Sequence, residues 1–171
     1  MSKLQKQLKG GDLRSIGKVE VIIKAIKTQT DFNNLFKGLF ATDRLVIMHS
    51  ADAIEKVTLL HPEYLKQYKK QILKLLKSAE HIELKWHLAQ LITRVNLNET
   101  EIGIVWDTLT KWALNTKESR IVRVLSFQGL FDLLKQYPEL NKDFNDTMLI
   151  LEKEPIPSIA ARIRILKKKM K

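Results

Sequence analysis

The chain has 171 residues with 30 basic and 19 acidic side chains, a formal charge of +11. This charge either favours acidic partners (nucleic acid, an anionic membrane surface or an acidic protein) or only keeps the protein soluble. It has no cysteine, which excludes disulfides, thiolate catalysis and thiolate metal sites, and we expect a cytoplasmic setting. No apolar run approaches the ~18 residues of a membrane span, and residues 1–9 lack the apolar stretch of a signal peptide.

Blocks of sequence recur at a fixed spacing. His49–Val57 reappears as His87–Val95 after a shift of 38 positions, with His, Ala, Ile and Val at matching places. Twice that shift lays His61–Tyr68 over Tyr137–Phe144, where Pro, Glu and Lys match. Self-similarity of this period is typical of a solenoid, in which each unit buries its apolar face only against its neighbours.

The predicted elements are all helices, because apolar residues recur at spacings of three and four and no alternating run predicts a strand. In chain order we expect an N-terminal capping helix over 15–28, followed by four helix pairs: 31–41 with 43–60, 62–78 with 82–95, 99–115 with 117–136, and 141–153 with 158–169.

The predicted helix ends have recognisable chemistry. Pro62 and Pro138 cannot continue the preceding helix, yet each fits the first position of the next one. Asn98 stands three residues before Glu101, an Asn variant of the capping box. Small residues at matching repeat positions, such as Ala51 and Ala89 one period apart or Ala53 and Gly129 two periods apart, predict second helices that approach closely. The polar set Asp52, Gln90 and Gln128 either forms a hydrogen-bonded ladder between units or faces solvent on the inner surface, which we favour.

In two of the four predicted pairs the second helix opens with an acidic or small residue and then Arg, namely Asp43-Arg44 and Ser119-Arg120. In this, and in unit length, the chain resembles the HEAT-repeat (armadillo-like) superfamily, and 86–90 resembles a stretch of small bacterial HEAT-like proteins. The resemblance implies one all-α domain over 1–171, a right-handed α-solenoid of about four HEAT-like helix pairs plus an N-terminal capping helix. The sequence leaves open whether 1–14 is a flexible basic N-terminus.

The sequence predicts no catalytic, cofactor or metal site. His49 and His87 hold equivalent repeat positions, which explains them as structural residues. None of the four histidines has the paired spacing of a helical zinc site, and neither a glycine-rich phosphate loop nor a nucleophile elbow is present. Paired carboxylates such as Asp143 and Asp146 fall at predicted helix ends, where solvation or the helix dipole explains them.

Clusters of basic residues are the candidate binding surfaces. The alternative interpretation of each is a solvated helix surface or a set of charges that stabilises the helix dipole. The first is a ridge at spacings of four, four and three: Lys66, Lys70, Lys74 and Lys77. The second closes the chain: Arg162, Arg164, Lys167, Lys168, Lys169 and Lys171. A third lies near the N-terminus: Lys3, Lys6, Lys9, Arg14 and Lys18.

The starts of the second helices form a fourth candidate, made of Arg44, Lys85, Arg120 and Arg123. Since these helices line the inner face of HEAT-like stacks, they would present either a basic groove or a ladder of ion pairs between units. Trp86 is either an exposed binding anchor or a packing residue, whereas Trp112 falls on an apolar face and is expected in the core.

The function that these features favour is a non-catalytic macromolecular-interaction scaffold with a protein partner and no cofactor, of unspecified oligomeric state. One alternative is nucleic-acid binding through the basic ridge or groove. A remote alternative is a DNA base-excision enzyme, because Trp106-Asp107 and Trp86 resemble features of the HEAT-like alkylpurine DNA glycosylases.

Overall fold

The computed structural model describes residues 17–170, and its side chains from Glu20 onward; within that range the regular elements are all helices. The chain divides into two compact units, Met1–Ile72 and Leu73–Lys171. The first contains α1 (Gly17–Ala25), α2 (Gln29–Phe36) and α3 (Arg44–Leu60). α4 (Lys69–Ser78) runs across the boundary, and the second unit continues with α5 (Ile82–Leu91), α6 (Glu99–Leu114), α7 (Arg120–Leu133), α8 (Asn141–Glu152) and α9 (Pro157–Lys169).

Capping chemistry fixes where α2 and α3 begin. Thr28 and Asp31 form a capping box: the Asp31 amide donates to the Thr28 hydroxyl at 3.1 Å, and the Thr28 amide donates to the Asp31 carboxylate at 3.0 Å. Asp43 accepts from the Leu45 amide at 2.9 Å at the start of α3. Because Thr28 caps the next helix, the predicted capping helix ends at Ala25 rather than at residue 28.

Aromatic packing joins α2 to the segment that follows α3. The Phe36 and Tyr68 rings stack with centroids 3.7 Å apart, and Phe32 lies 5.3 Å from Tyr64. The Tyr68 hydroxyl donates to the Asn33 side-chain oxygen at 2.7 Å, so the burial of this cluster leaves that hydroxyl satisfied.

In the second unit, α6 and α7 pack as a pair and both are capped. Asn98 and Glu101 form the predicted capping box, with both of its hydrogen bonds at 2.9 Å, which confirms that prediction. Ser119 caps α7. Phe127 of α7 stacks on Phe144 of α8 with centroids 4.9 Å apart, which joins neighbouring helix pairs.

Three of the predicted helices change type along their length. The segment 31–41 ends in a 3-10 turn at Lys37–Phe40, 82–95 ends in one at Ile92–Arg94, and 62–78 begins with one at Pro62–Tyr68. Another 3-10 turn, Pro138–Leu140, precedes α8. The remaining predicted helices match within a few residues at each end.

The recurrence in sequence is matched in backbone conformation. His61 has φ −128° and ψ 62°, and Tyr137, which matches it in the sequence repeat, has φ −130° and ψ 66°. Each precedes a proline, which disfavours the α conformation there and ends the helix before it. The repeat is therefore structural, and the fold is the all-α helical repeat of the solenoid class that the self-similarity predicts.

Close approach of α7 to α5 depends on Gly129. A Cβ at Gly129 would lie 2.7 Å from the carbonyl oxygen of Ala89 and 3.2 Å from a methyl group of Leu109. A side chain at this position would therefore force the helices apart, as expected for small residues where second helices meet.

Candidate interaction surface

Basic residues at the starts of α5 and α7 bind neighbouring repeats. Lys85 donates to Glu118, and its Nζ lies 5.6 Å from the centroid of the Trp112 ring. Arg123 is 2% exposed; it donates from Nη2 to Glu154 at 2.6 Å and from Nε to the Ala113 carbonyl at 2.8 Å. These two of the four predicted groove residues therefore form a ladder of ion pairs between helix pairs.

The ion pairs Lys85–Glu118 and Arg123–Glu154 occupy equivalent positions in successive repeats. Lys85 and Arg123 both lie in the first turn of a second helix, 38 positions apart. Glu118 lies in the connection before α7, and Glu154 in the connection before α9. Each pair thus links one second helix to the start of the next.

The other two predicted groove residues, Arg44 and Arg120, are exposed at the first positions of α3 and α7. Trp86 is half-buried with its ring edge against His87, at a centroid distance of 5.5 Å, and Trp112 is buried as expected. His49 and His87 are also buried, as their repeat positions predict.

The C-terminal cluster is divided between internal contacts and solvent. Arg162 donates to the Gln128 side-chain oxygen at 2.8 Å, which joins α9 to α7, and Lys167 pairs with Glu152. Arg164 and Lys168 are exposed, as is Lys169. The remaining basic residues of the predicted clusters have side chains outside the described part of the chain: Lys3, Lys6, Lys9, Arg14, Lys18 and Lys171. The predicted flexible segment over 1–14 also lies outside it.

The polar set of the sequence divides in the same way. Gln128 takes part in the contact between α7 and α9, whereas Asp52 pairs with Lys56 within α3 at 2.8 Å. Gln90 donates to the Trp86 carbonyl at 3.3 Å within α5. Of this set, Gln128 therefore contributes a hydrogen bond between second helices.

The lysine ridge spans two helix types. Lys66 lies in the 3-10 turn, near Glu63, whereas Lys70, Lys74 and Lys77 lie in α4. All four are exposed. Because a 3-10 helix has three residues per turn, the four-residue spacing that places Lys66 above Lys70 on an α-helix does not hold there. The aligned set is therefore the three lysines of α4.

An acidic groove that sequence reasoning missed lies between α6 and α8, with a volume of about 600 Å³. We call it the acidic groove. Ile102, Trp106 and Thr147 are its buried lining residues. Its exposed lining contains five carboxylates and a glycine: Glu99, Asp107, Glu139, Asp143, Asp146 and Gly103.

Few internal contacts neutralise these acids. Asp107 pairs with Lys111 at 2.7 Å, but both side chains are more than half exposed, so the pair is weak. Within the described part of the chain, Glu99, Glu139, Asp143 and Asp146 have no ion pair. Residues that line the groove include no basic side chain. Five acidic and no basic side chains therefore line one groove of a strongly basic chain.

The architecture defines the class of protein: an all-α helical repeat of the solenoid type. The HEAT repeat domain family matches residues 3–170, and the chain belongs to that family. HEAT repeats generally serve as protein-interaction scaffolds and are generally non-catalytic. No curated protein and no solved structure is significantly similar to the chain. Among the described helices, none is long and apolar enough to cross a membrane.

Proposed function

We propose that this chain is a non-catalytic scaffold that binds another protein, with the acidic groove as its binding site. The observation that carries the proposal is the composition of that groove. Its buried lining includes the large aromatic Trp106, and its exposed lining is polar, which is the organisation of protein-binding sites. Its volume of about 600 Å³ also suits the side chains of a bound segment.

Buried Arg123 forms hydrogen bonds close to the ends of the two helices that line the groove. Arg123 at the start of α7 binds both Ala113, near the end of α6, and Glu154, just after α8. The same buried guanidinium therefore binds the last turn of α6 and the segment that follows α8. A site whose walls are already fixed loses less conformational entropy on binding.

We assign no catalytic role to the groove. The Thr147 hydroxyl donates to the Asp143 carbonyl of its own helix at 2.9 Å, and the lining contains no histidine, lysine or cysteine. Trp106 and Asp107, which resemble glycosylase residues, both lie in the groove, where the carboxylates would repel a phosphate backbone.

Capture of partners by the full-length chain, followed by reconstitution with each purified candidate, tests the proposal. We expect at least one purified protein to bind directly, and Gly103→Leu, which adds a side chain inside the groove, to weaken that binding. Exposed Ile121→Ala in α7 is the control. If no purified candidate binds, or if both variants bind as the wild type does, the proposal is wrong.

The three lysines of α4 favour nucleic-acid binding as a second candidate. Lys70, Lys74 and Lys77 are exposed at spacings of four and three on one helix, and none has an ion pair in the described part of the chain. Binding of duplex DNA or RNA through them would fall steeply as salt rises. A chain that binds neither at low salt rules this candidate out.

A further inference from the structure

We propose that the acidic groove binds an extended segment of the partner protein that is rich in lysine and arginine. This inference rests on the proposed function and names the chemistry of the partner. Three features of the groove carry it: its unneutralised carboxylates, a glycine inside α6, and the buried indole of Trp106.

The charge of the groove opposes the charge of the chain. A formal charge of +11 disfavours association with cationic molecules in general. Five carboxylates nevertheless line one groove, and four of them have no ion pair within the described residues. Like charges gathered in this way repel one another, and a cationic ligand relieves that repulsion. The groove therefore favours a cationic ligand, although the net charge of the chain disfavours one.

Gly103 is the second feature, because packing does not explain it. A glycine inside a helix destabilises that helix by about 1 kcal/mol relative to alanine. A Cβ at Gly103 would meet no atom within 4 Å, and its backbone does not have the positive φ that favours glycine. A ligand that approaches the backbone of α6 closely does require a residue without a side chain.

Trp106 is the third feature, and it suits the stems of basic side chains. The indole is 8% exposed and lines the groove beside Ile102. Lysine and arginine pack their methylene stems on apolar surface while their charged ends reach polar groups. In this groove the stems would contact Trp106 and the charged ends would reach carboxylates such as Asp143 and Asp146.

Calorimetric titration of the full chain with a short synthetic peptide rich in lysine and arginine tests the inference at low ionic strength. A second peptide has glutamine at each basic position. Two double variants carry the same change in charge: Asp143→Asn with Asp146→Asn in the groove, and Glu20→Gln with Glu80→Gln at exposed positions outside it. Circular dichroism verifies that each variant is folded.

We expect the basic peptide to bind, the glutamine peptide not to bind, and the groove variant to weaken affinity by about tenfold. The variant outside the groove should change affinity much less, and Gly103→Leu should also weaken it. Equal weakening in the two double variants would show general charge attraction and overturn the inference. So would a failure of the basic peptide to bind. If a purified partner still binds in that case, the proposed function stands and only this inference fails.

Discussion

At the level of single residues, two glycines have opposite surroundings. A methyl group at Gly129 would meet the Ala89 carbonyl oxygen at 2.7 Å, whereas one at Gly103 would meet no atom within 4 Å. We expect Gly129→Ala to lower the free energy of unfolding by about 1–3 kcal/mol through overpacking. Gly103→Ala should raise it by about 0.5–1 kcal/mol through helix propensity. Urea denaturation measures both, and changes of the same sign would contradict the packing described here.

Asp31 provides a titration test at the same scale. The Thr28 hydroxyl and the Lys27 amide donate hydrogen bonds to the Asp31 carboxylate and hold its pKa below the ordinary value of 3.8. The folded pKa is depressed, so this contribution to stability is present above the unfolded pKa and is lost as pH falls through the folded pKa.

Removal of the Thr28 hydroxyl should raise the pKa of Asp31 towards its ordinary value. An NMR titration of the Asp31 carboxyl group in Thr28→Val measures this change. The control is Thr30→Val at an exposed position two residues further along the chain, and it should leave the pKa of Asp31 unchanged. An unchanged pKa in Thr28→Val would mean that the capping box does not form in solution.

At the level of elements, the ion pair between Arg123 and Glu154 should contribute far more than a surface pair. Glu154→Gln leaves a guanidinium that is 2% exposed without its counter-charge, and we expect a loss of roughly 2–3 kcal/mol. Asp107→Asn breaks an exposed pair of similar geometry and should cost less than about 0.5 kcal/mol. Thermal and chemical denaturation measure the two, and equal losses would contradict an interior role for Arg123.

The helices themselves could be predicted from sequence, because apolar spacing and capping residues are local signals. The capping box at Asn98 and the prolines after two second helices were readable in this way. The 3-10 turn at Pro62–Tyr68 was not, because its apolar spacing fits an α-helix. There, distant contacts override local preference: the Tyr68 hydroxyl binds Asn33, and Gln29 donates to the Tyr64 carbonyl.

At the level of the whole molecule, repetition in the sequence indicated the family, but the acidic groove could not be predicted. Four of its five carboxylates come from the first helices α6 and α8, and Glu139 comes from the 3-10 turn before α8. In the sequence, Asp143 and Asp146 looked like ordinary solvated residues at a helix end. The formal charge of +11 favoured lysine and arginine as the binding residues. Two of those predicted, Lys85 and Arg123, instead form ion pairs between repeats.

The central claim is that the helical repeat binds a basic segment in the groove between α6 and α8. Hydrogen–deuterium exchange of the full chain, with and without the basic peptide at saturation, tests it most directly. The account predicts slower exchange in Glu99–Leu114 and Asn141–Glu152 when the peptide is bound, with Arg44–Leu60 unchanged. Slower exchange confined to Arg44–Leu60, or no change in any segment, would contradict it.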